Sequence, residues 1–292
     1  MWILITLFAA GCQSVRTAYQ NTLAKEAGFL HATMARSLYG LPLVSVYLVL
    51  CYFLFGWVSL ELDSAFWPIV LVCAVAQIFA TYFMLRVFQS GSFALGVLLA
   101  KTEAVQAAVI GLFFLHYTLS LTAWLGVVLG VIGALVMSVK WKNISSFHKD
   151  TSLLLGMASG FCFAVATVTA SMASHSLSGS IITSAGVTLW CVLVIQSIIL
   201  CAIQIVKSRD ICAPFRHSLS LSMKVGGFSS LGSIAWFTSF ALVNPALVKT
   251  LGQVEILGTL YYSKRRFAES ISKQQWVGGA MIIASVVLVV IS

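Results

Sequence analysis

Charged residues are scarce in this sequence of 292 residues, at 9% of the total. Soluble globular domains carry about 25% charged residues, so these side chains are too few to cover a water-soluble globule of this length. The scarcity excludes a soluble enzyme, a DNA-binding protein and a disordered tail. Because 60% of the residues are hydrophobic, the chain must fold mostly within a lipid bilayer.

Motifs of enzymes and metal sites are also lacking. The sequence contains no Walker loop, no HExxH or GxSxG motif and no CxxC pair. The seven cysteines are scattered through apolar runs, which is typical of small buried hydrophobes. We therefore expect no enzyme activity, no cofactor and no bound metal. We also expect no nucleic-acid partner, because a net charge of +9 in a membrane protein indicates basic loops.

The sequence consists mainly of long apolar runs. A helix needs about 20 apolar residues to cross a bilayer, and strands of membrane barrels are shorter and alternate in polarity. Ten such runs occur, at roughly 2–23, 29–55, 66–88, 92–115, 120–139, 151–173, 180–206, 221–242, 245–262 and 274–291. The sequence thus predicts an all-α integral membrane protein with ten transmembrane helices. Pro42 predicts a kink in the second run, and Asn244 before Pro245 predicts a helix start.

Basic residues lie on one side of this predicted topology. Thirteen of the 17 fall in the odd-numbered connections or at their edges: Lys25, Arg86, Lys140, Lys142, Lys149, Lys207, Arg209, Arg216, Lys224, Lys264, Arg265, Arg266 and Lys273. The even-numbered connections hold none. By the positive-inside rule the odd-numbered connections are cytoplasmic, so both termini face outside. We expect a multi-pass protein of the plasma membrane, the inner membrane of a bacterium.

An internal repeat relates the two halves of the chain. A shift of 152 residues superposes identical residues that include Phe88 and Phe240, Ala94 and Ala246, Glu103 and Glu255, Ser120 and Ser272, Trp124 and Trp276, and Gly126 and Gly278. We therefore divide the chain into residues 1–145 and 151–292, with five spans each. An odd number of spans inverts the second half in the membrane, and inverted repeats around a midplane site are a recurrent transporter architecture.

These features resemble the drug/metabolite transporter superfamily, in its EamA-like branch. The repeat of that family ends in a pattern like L-G-E-x-L-[ST]-x-x-Q-x-x-G. The second half is similar, with Glu269-Ser270-Ile271-Ser272 followed by Gln275 and Gly278, whereas Tyr117 replaces the acid in the first half. Arg36 in the second span also fits. The resemblance implies a membrane carrier for small metabolites, with export of amino acids or related compounds, and it does not name the cargo.

Ionisable groups inside the spans are the candidate functional residues, because each costs a few kcal/mol to insert. They are Arg16, Arg36, Lys101, Glu103, Lys249 and Glu255. The first span also carries a polar stripe within an arc of about 140°, formed by Gln13, Arg16, Thr17, Gln20 and Asn21. The stripe is expected either to line a substrate cavity or to form a structural network.

We assign substrate binding to Gln13, Arg16, Gln20, Arg36, Lys101, Glu103, Lys249 and Glu255. Four basic and two acidic groups leave a basic surplus that suits an anionic or zwitterionic substrate. Proton coupling is assigned to Glu103 and Glu255, since burial favours protonation of a carboxylate. The alternative for the two glutamates is an ion-paired scaffold that joins the repeats.

The predicted function is secondary active transport of small polar metabolites by alternating access. The expected partners are a small-molecule substrate, the lipid bilayer and protons, and the oligomeric state stays open. One alternative is a multidrug or quaternary-ammonium carrier that uses aromatic rings of spans three and eight, namely Phe79, Tyr82, Phe83, Trp236, Phe237 and Phe240. The other is a membrane scaffold or enzyme subunit without transport.

Overall fold

The computed structural model describes residues 1–56, 65–89, 102–115, 118–138, 151–208, 218–256 and 272–292. Within these ranges the chain forms eleven helices. They are α1 (Trp2–Ala27), α2 (Phe29–Leu38), α3 (Leu41–Phe55), α4 (Phe66–Gln89), α5 (Glu103–Phe114), α6 (Leu121–Ser138), α7 (Thr151–His175), α8 (Ile181–Ser208), α9 (Leu219–Leu242), α10 (Pro245–Gly252) and α11 (Lys273–Val290). The predicted all-α fold class is confirmed.

Several of these helices are suited to a bilayer by length and composition. Five helical segments are long and apolar enough to span it: Phe29–Phe55, Phe66–Val87, Leu154–His175, Ile181–Lys207 and Leu219–Leu242. Large apolar side chains such as Phe53 and Val206 are 76% and 86% exposed. An apolar surface of this kind is unstable in water and suits contact with lipid tails. The chain is a multi-pass membrane protein.

The second predicted span is interrupted where its sequence predicts a kink. It consists of α2 and α3, separated at Tyr39 and Gly40 directly before Pro42. Proline lacks a backbone N–H, so it is tolerated in the first helical turn, which Pro42 occupies in α3. The predicted cap at Asn244 is also present, because its side chain accepts a hydrogen bond of 3.0 Å from the Ala246 N–H at the start of α10.

Gly28 connects α1 and α2 and lets the chain reverse direction. Its φ of 86° lies in the region that residues with a Cβ rarely adopt. Across this turn the Gln20 Nε2 donates to the Ala32 carbonyl at 3.0 Å. The two helices therefore run antiparallel, in a register that places Gln20 of α1 beside Ala32 of α2.

The closest helix pairs join the first half of the chain to the second. They are α1 with α9, α4 with α7, and α6 with α11. The Thr6 hydroxyl donates to Ser239 at 3.1 Å, and the Ser159 hydroxyl donates to the Ala80 carbonyl at 2.9 Å. In the third pair, Gly126 and Gly133 lie directly against α11. In this arrangement α1, α2, α4 and α10 each have polar side chains buried in the protein interior, among them Gln20, Arg36, Gln77 and Lys249.

Candidate functional site

The polar stripe of α1 lies inside the protein. Arg16 is 6% exposed and Gln20 is fully buried. Gln13, which is half-buried, accepts a hydrogen bond of 3.1 Å from the indole N–H of Trp236 on α9. The stripe thus contacts both α2 and α9, and its residues include the predicted candidates of the first span.

Arg36 of α2 belongs to a buried network of neutral polar groups. Its Nη2 donates to the Gln77 Oε1 of α4, and its Nη1 donates to the Thr81 Oγ1 at 3.3 Å. The Gln77 Oε1 also accepts from the Gln196 Nε2 of α8 at 3.0 Å. This network fixes the guanidinium of Arg36 among three helices.

Lys249 of α10 forms an ion pair with Glu103 of α5. The Nζ atom lies 3.3 Å from each carboxylate oxygen, and both side chains are buried. The same Nζ lies 4.7 Å from the ring centroid of Trp236 and 5.4 Å from that of Phe240. The carboxylate and the aromatic faces both stabilise the ammonium group, so a charge at this depth is well compensated.

The predicted candidates of spans one, four and nine come together around this ion pair. Arg16 interacts electrostatically with Glu255 and Glu103. Glu255 is half-buried, whereas Glu103 and Lys249 are buried. The proposed participation of Lys101 falls outside the described residues.

Two amides of the site are absent from the sequence-based candidates. Gln77 and Gln196 are 8% and 2% exposed and connect Arg36 to α4 and α8. A search of the sequence for charged residues does not identify these two glutamines. Their signal is an isolated amide within a long apolar run, which is costly in a membrane unless it has partners.

The aromatic residues of spans three and eight divide into two groups. Phe79 and Tyr82 of α4 are 49% and 38% exposed, so they belong to the lipid-facing surface. Trp236 and Phe240 of α9 are buried and stacked, with ring centroids 5.7 Å apart. Only this second pair lies beside the charged residues of the site.

No metal site is found among the described residues, and the two grooves that the structure shows there lie away from the buried charges. No group of three or more His, Cys, Asp or Glu side chains is placed to hold a metal ion there. A groove of about 530 Å³ opens between α1, α3 and α9, and its lining is almost entirely apolar, with Phe8, Leu50 and Leu231 as members. None of the charged residues of the site lines this groove.

Comparison with known proteins finds a related fold for the chain and a matching family for residues 1–139. A solved crystal structure of a protein that is 16% identical aligns with a TM-score of 0.70, over 98% of this chain and 94% of the other. No match is found among curated proteins. Residues 1–139 match the EamA-like transporter family, whose members are membrane transporters. The resemblance seen in the sequence is confirmed, and this part of the chain belongs to the EamA-like family of the drug/metabolite transporter superfamily.

Proposed function

We propose that this protein is a secondary active carrier that moves a small polar metabolite, an amino acid or a related compound, across the plasma membrane. The observation that carries the proposal is the cluster of buried charges where α1, α5 and α10 meet. Arg16, Glu103 and Lys249 come from both halves of the chain and lie together in the protein interior. Intramembrane charges are expensive and mark substrate or ion pathways.

The pairing of helices supports a carrier built from two related halves, residues 1–145 and 151–292. The α1–α9 pair joins the first span to the eighth, and the α4–α7 pair joins the third to the sixth. In the proposed repeat the first span corresponds to the sixth and the third to the eighth. The repeat therefore relates one of these pairs to the other. In an inverted-repeat carrier such related contacts surround a midplane site and support alternating access.

The candidate residues take different roles in this proposal. Gln13, Arg16, Gln20 and Arg36 orient the substrate, and Lys101 is retained as a proposed member of the site. The ion pair of Lys249 with Glu103 holds α5 against α10, which favours a structural part for Glu103. Glu255 is half-buried and carries the proton better than its partner in the repeat. Export is the proposed direction.

Transport itself is tested in liposomes. Purified protein is reconstituted into vesicles loaded with unlabelled amino acids, and labelled amino acids are added outside. We expect the label to accumulate by exchange above the level of empty vesicles. If no amino acid or related metabolite is exchanged, the proposed function is wrong.

The pH dependence of this exchange is expected to change in Glu255→Gln. The variant removes a carboxylate whose protonation accompanies substrate movement, so its rate should vary less with pH than that of the wild type. Exchange rates are measured across a pH series in the same vesicles. Glu26→Gln is the matched control, because Glu26 is exposed at the end of α1. Identical pH profiles for Glu255→Gln and the wild type remove proton coupling from Glu255.

The cation-carrier alternative has less support at this site. The stacked rings of Trp236 and Phe240 already hold a cation, the ammonium group of Lys249. An organic cation would have to displace Lys249 and compete for Glu103, which lies 3.3 Å from it. An arrangement with a resident cation favours a substrate that is neutral, zwitterionic or anionic.

Both termini are proposed to face outside the plasma membrane. Reporter fusions that are active only in the cytoplasm should therefore be inactive when attached after Ser292, whereas fusions within residues 140–150 should be active. The expectation follows from the basic residues of that connection. A cytoplasmic signal from the C-terminal fusion contradicts the orientation.

A further inference from the structure

Two buried arginines lie opposite each other on α1 and α2. Gln20 contacts Ala32 across the Gly28 turn, and one helical turn further from Gly28 the same antiparallel register brings Arg16 opposite Arg36. The two side chains are 6% and 5% exposed and interact electrostatically. Like charges held together in a buried region repel each other unless an anion lies nearby.

The guanidinium groups retain unused hydrogen-bond donors. The Nε atoms of both arginines are buried without a hydrogen-bond partner among the described residues. Gln77 and Thr81, which accept hydrogen bonds from Arg36, are neutral. The Oε1 of Gln20, one turn from Arg16, is a buried acceptor that also lacks a partner in the described ranges. Unpaired polar atoms at such depth are costly, which points to a ligand that completes them.

The remaining charges of the site do not balance the arginines. Glu103 is paired with Lys249 at 3.3 Å. Glu255 lies within electrostatic range of Arg16 and supplies one further negative charge. Three positive and two negative groups, counted over the described residues of the site, leave one positive charge in excess.

Building on the proposed function, we infer that the transported substrate carries an anionic group, a carboxylate or a phosphate, which binds between Arg16 and Arg36. The planar guanidinium presents parallel N–H donors that match the oxygens of either anion. An amino or hydroxyl group of the same substrate donates to the Gln20 Oε1. Lys249 is not part of this anion site, because Glu103 neutralises it.

The test compares probes that differ only in the anionic group. Full-length protein in detergent is mixed with each standard amino acid and its carboxamide, with succinate and succinamide, and with inorganic phosphate. Binding is read from the midpoint of thermal unfolding, and dissociation constants are measured by calorimetry for each probe that raises it. We expect at least one anionic probe to bind and its neutral or amidated counterpart not to bind. Comparison of the carboxylate probes with inorganic phosphate shows which anion the site binds.

Variants of the two arginines show where the anionic probe binds. Arg16→Gln and Arg36→Gln should each raise the dissociation constant of the anionic probe by about tenfold or more, because each removes a charged hydrogen bond. Arg86→Gln is the matched control, since Arg86 lies at the end of α4 against the rings of Phe29 and Tyr82. If Arg16→Gln does not fold, Arg16→Lys keeps the charge but loses the paired donors, and it should also weaken binding.

The outcomes separate this inference from the proposed function. The inference is overturned if every anionic probe fails to bind, if carboxamides bind equally well, or if Arg16→Gln and Arg36→Gln bind like the wild type. Vesicles that still exchange metabolites in those cases leave the proposed function intact. Vesicles that exchange nothing overturn the proposed function, even where an anion binds between the arginines in detergent.

Discussion

Glu103→Gln is expected to lower the free energy of unfolding by about 3–5 kcal/mol, the usual cost of removing one partner from a buried ion pair. The carboxylate lies 3.3 Å from Lys249 with both side chains buried. The glutamine keeps the shape of the side chain but removes the negative charge that the ammonium group of Lys249 contacts. Unfolding of the purified protein in mixed micelles of increasing denaturing detergent, followed by tryptophan fluorescence, measures the loss.

A double-mutant cycle identifies the ion pair as the cause. Lys249→Met removes the ammonium group that Glu103→Gln leaves without its carboxylate, so the double variant should lose less stability than the two single changes together. Glu26→Gln supplies a control for the substitution itself, because Glu26 is exposed and accepts a hydrogen bond from the Ser218 hydroxyl. Strict additivity of the two single changes would show that the pair does not stabilise the fold.

Gly226→Ala is expected to destabilise the protein by about 1–3 kcal/mol, the usual cost of forcing extra volume into a packed interior. A Cβ at this position of α9 would lie 2.7 Å from the carbonyl carbon of Tyr39 and 3.0 Å from its oxygen. Backbone atoms cannot move aside as the end of a side chain can. Tyr39 lies in the interruption between α2 and α3, so α9 would have to separate from this segment.

The neighbouring glycine is the matched control for this change. Gly227 is on the same helix, and a Cβ there would meet no atom within 4 Å. Gly227→Ala should therefore stabilise α9 by up to about 1 kcal/mol through helix propensity alone. The two variants are compared in the same detergent titration, and equal effects of both would contradict the close contact with Tyr39.

Much of the fold could be predicted from the sequence, because a bilayer requires each span to satisfy its own backbone. Long apolar runs therefore predict helices directly, and α7, α8 and α9 differ from the predicted ranges by only a few residues. The interruption before Pro42 follows from local chemistry in the same way. Which helices pack together depends on long-range contacts, and the α6–α11 contact could not be predicted from either segment alone.

The sequence predicts which residues belong to the site better than it predicts which of them contact each other. An intramembrane charge stands out in an apolar sequence, so Arg16, Glu103 and Lys249 could be identified. The partner of each charge depends on three-dimensional packing, and the sequence left open whether Glu103 was ion-paired. Gln77 and Gln196 carry no charge, and they become part of the site only because α4 and α8 meet beside Arg36.

The pairing of α1 with α9 has a consequence for the order in which the protein folds. Along its length α1 contacts a helix that is synthesised much later, and the residues of the Thr6–Ser239 hydrogen bond are 233 positions apart. A nascent chain that has inserted only its first spans exposes the polar face of α1 without the helix that covers it. Contacts of such large sequence separation form late and slowly. The closure of the eighth span on the first is therefore expected to be a late step of maturation.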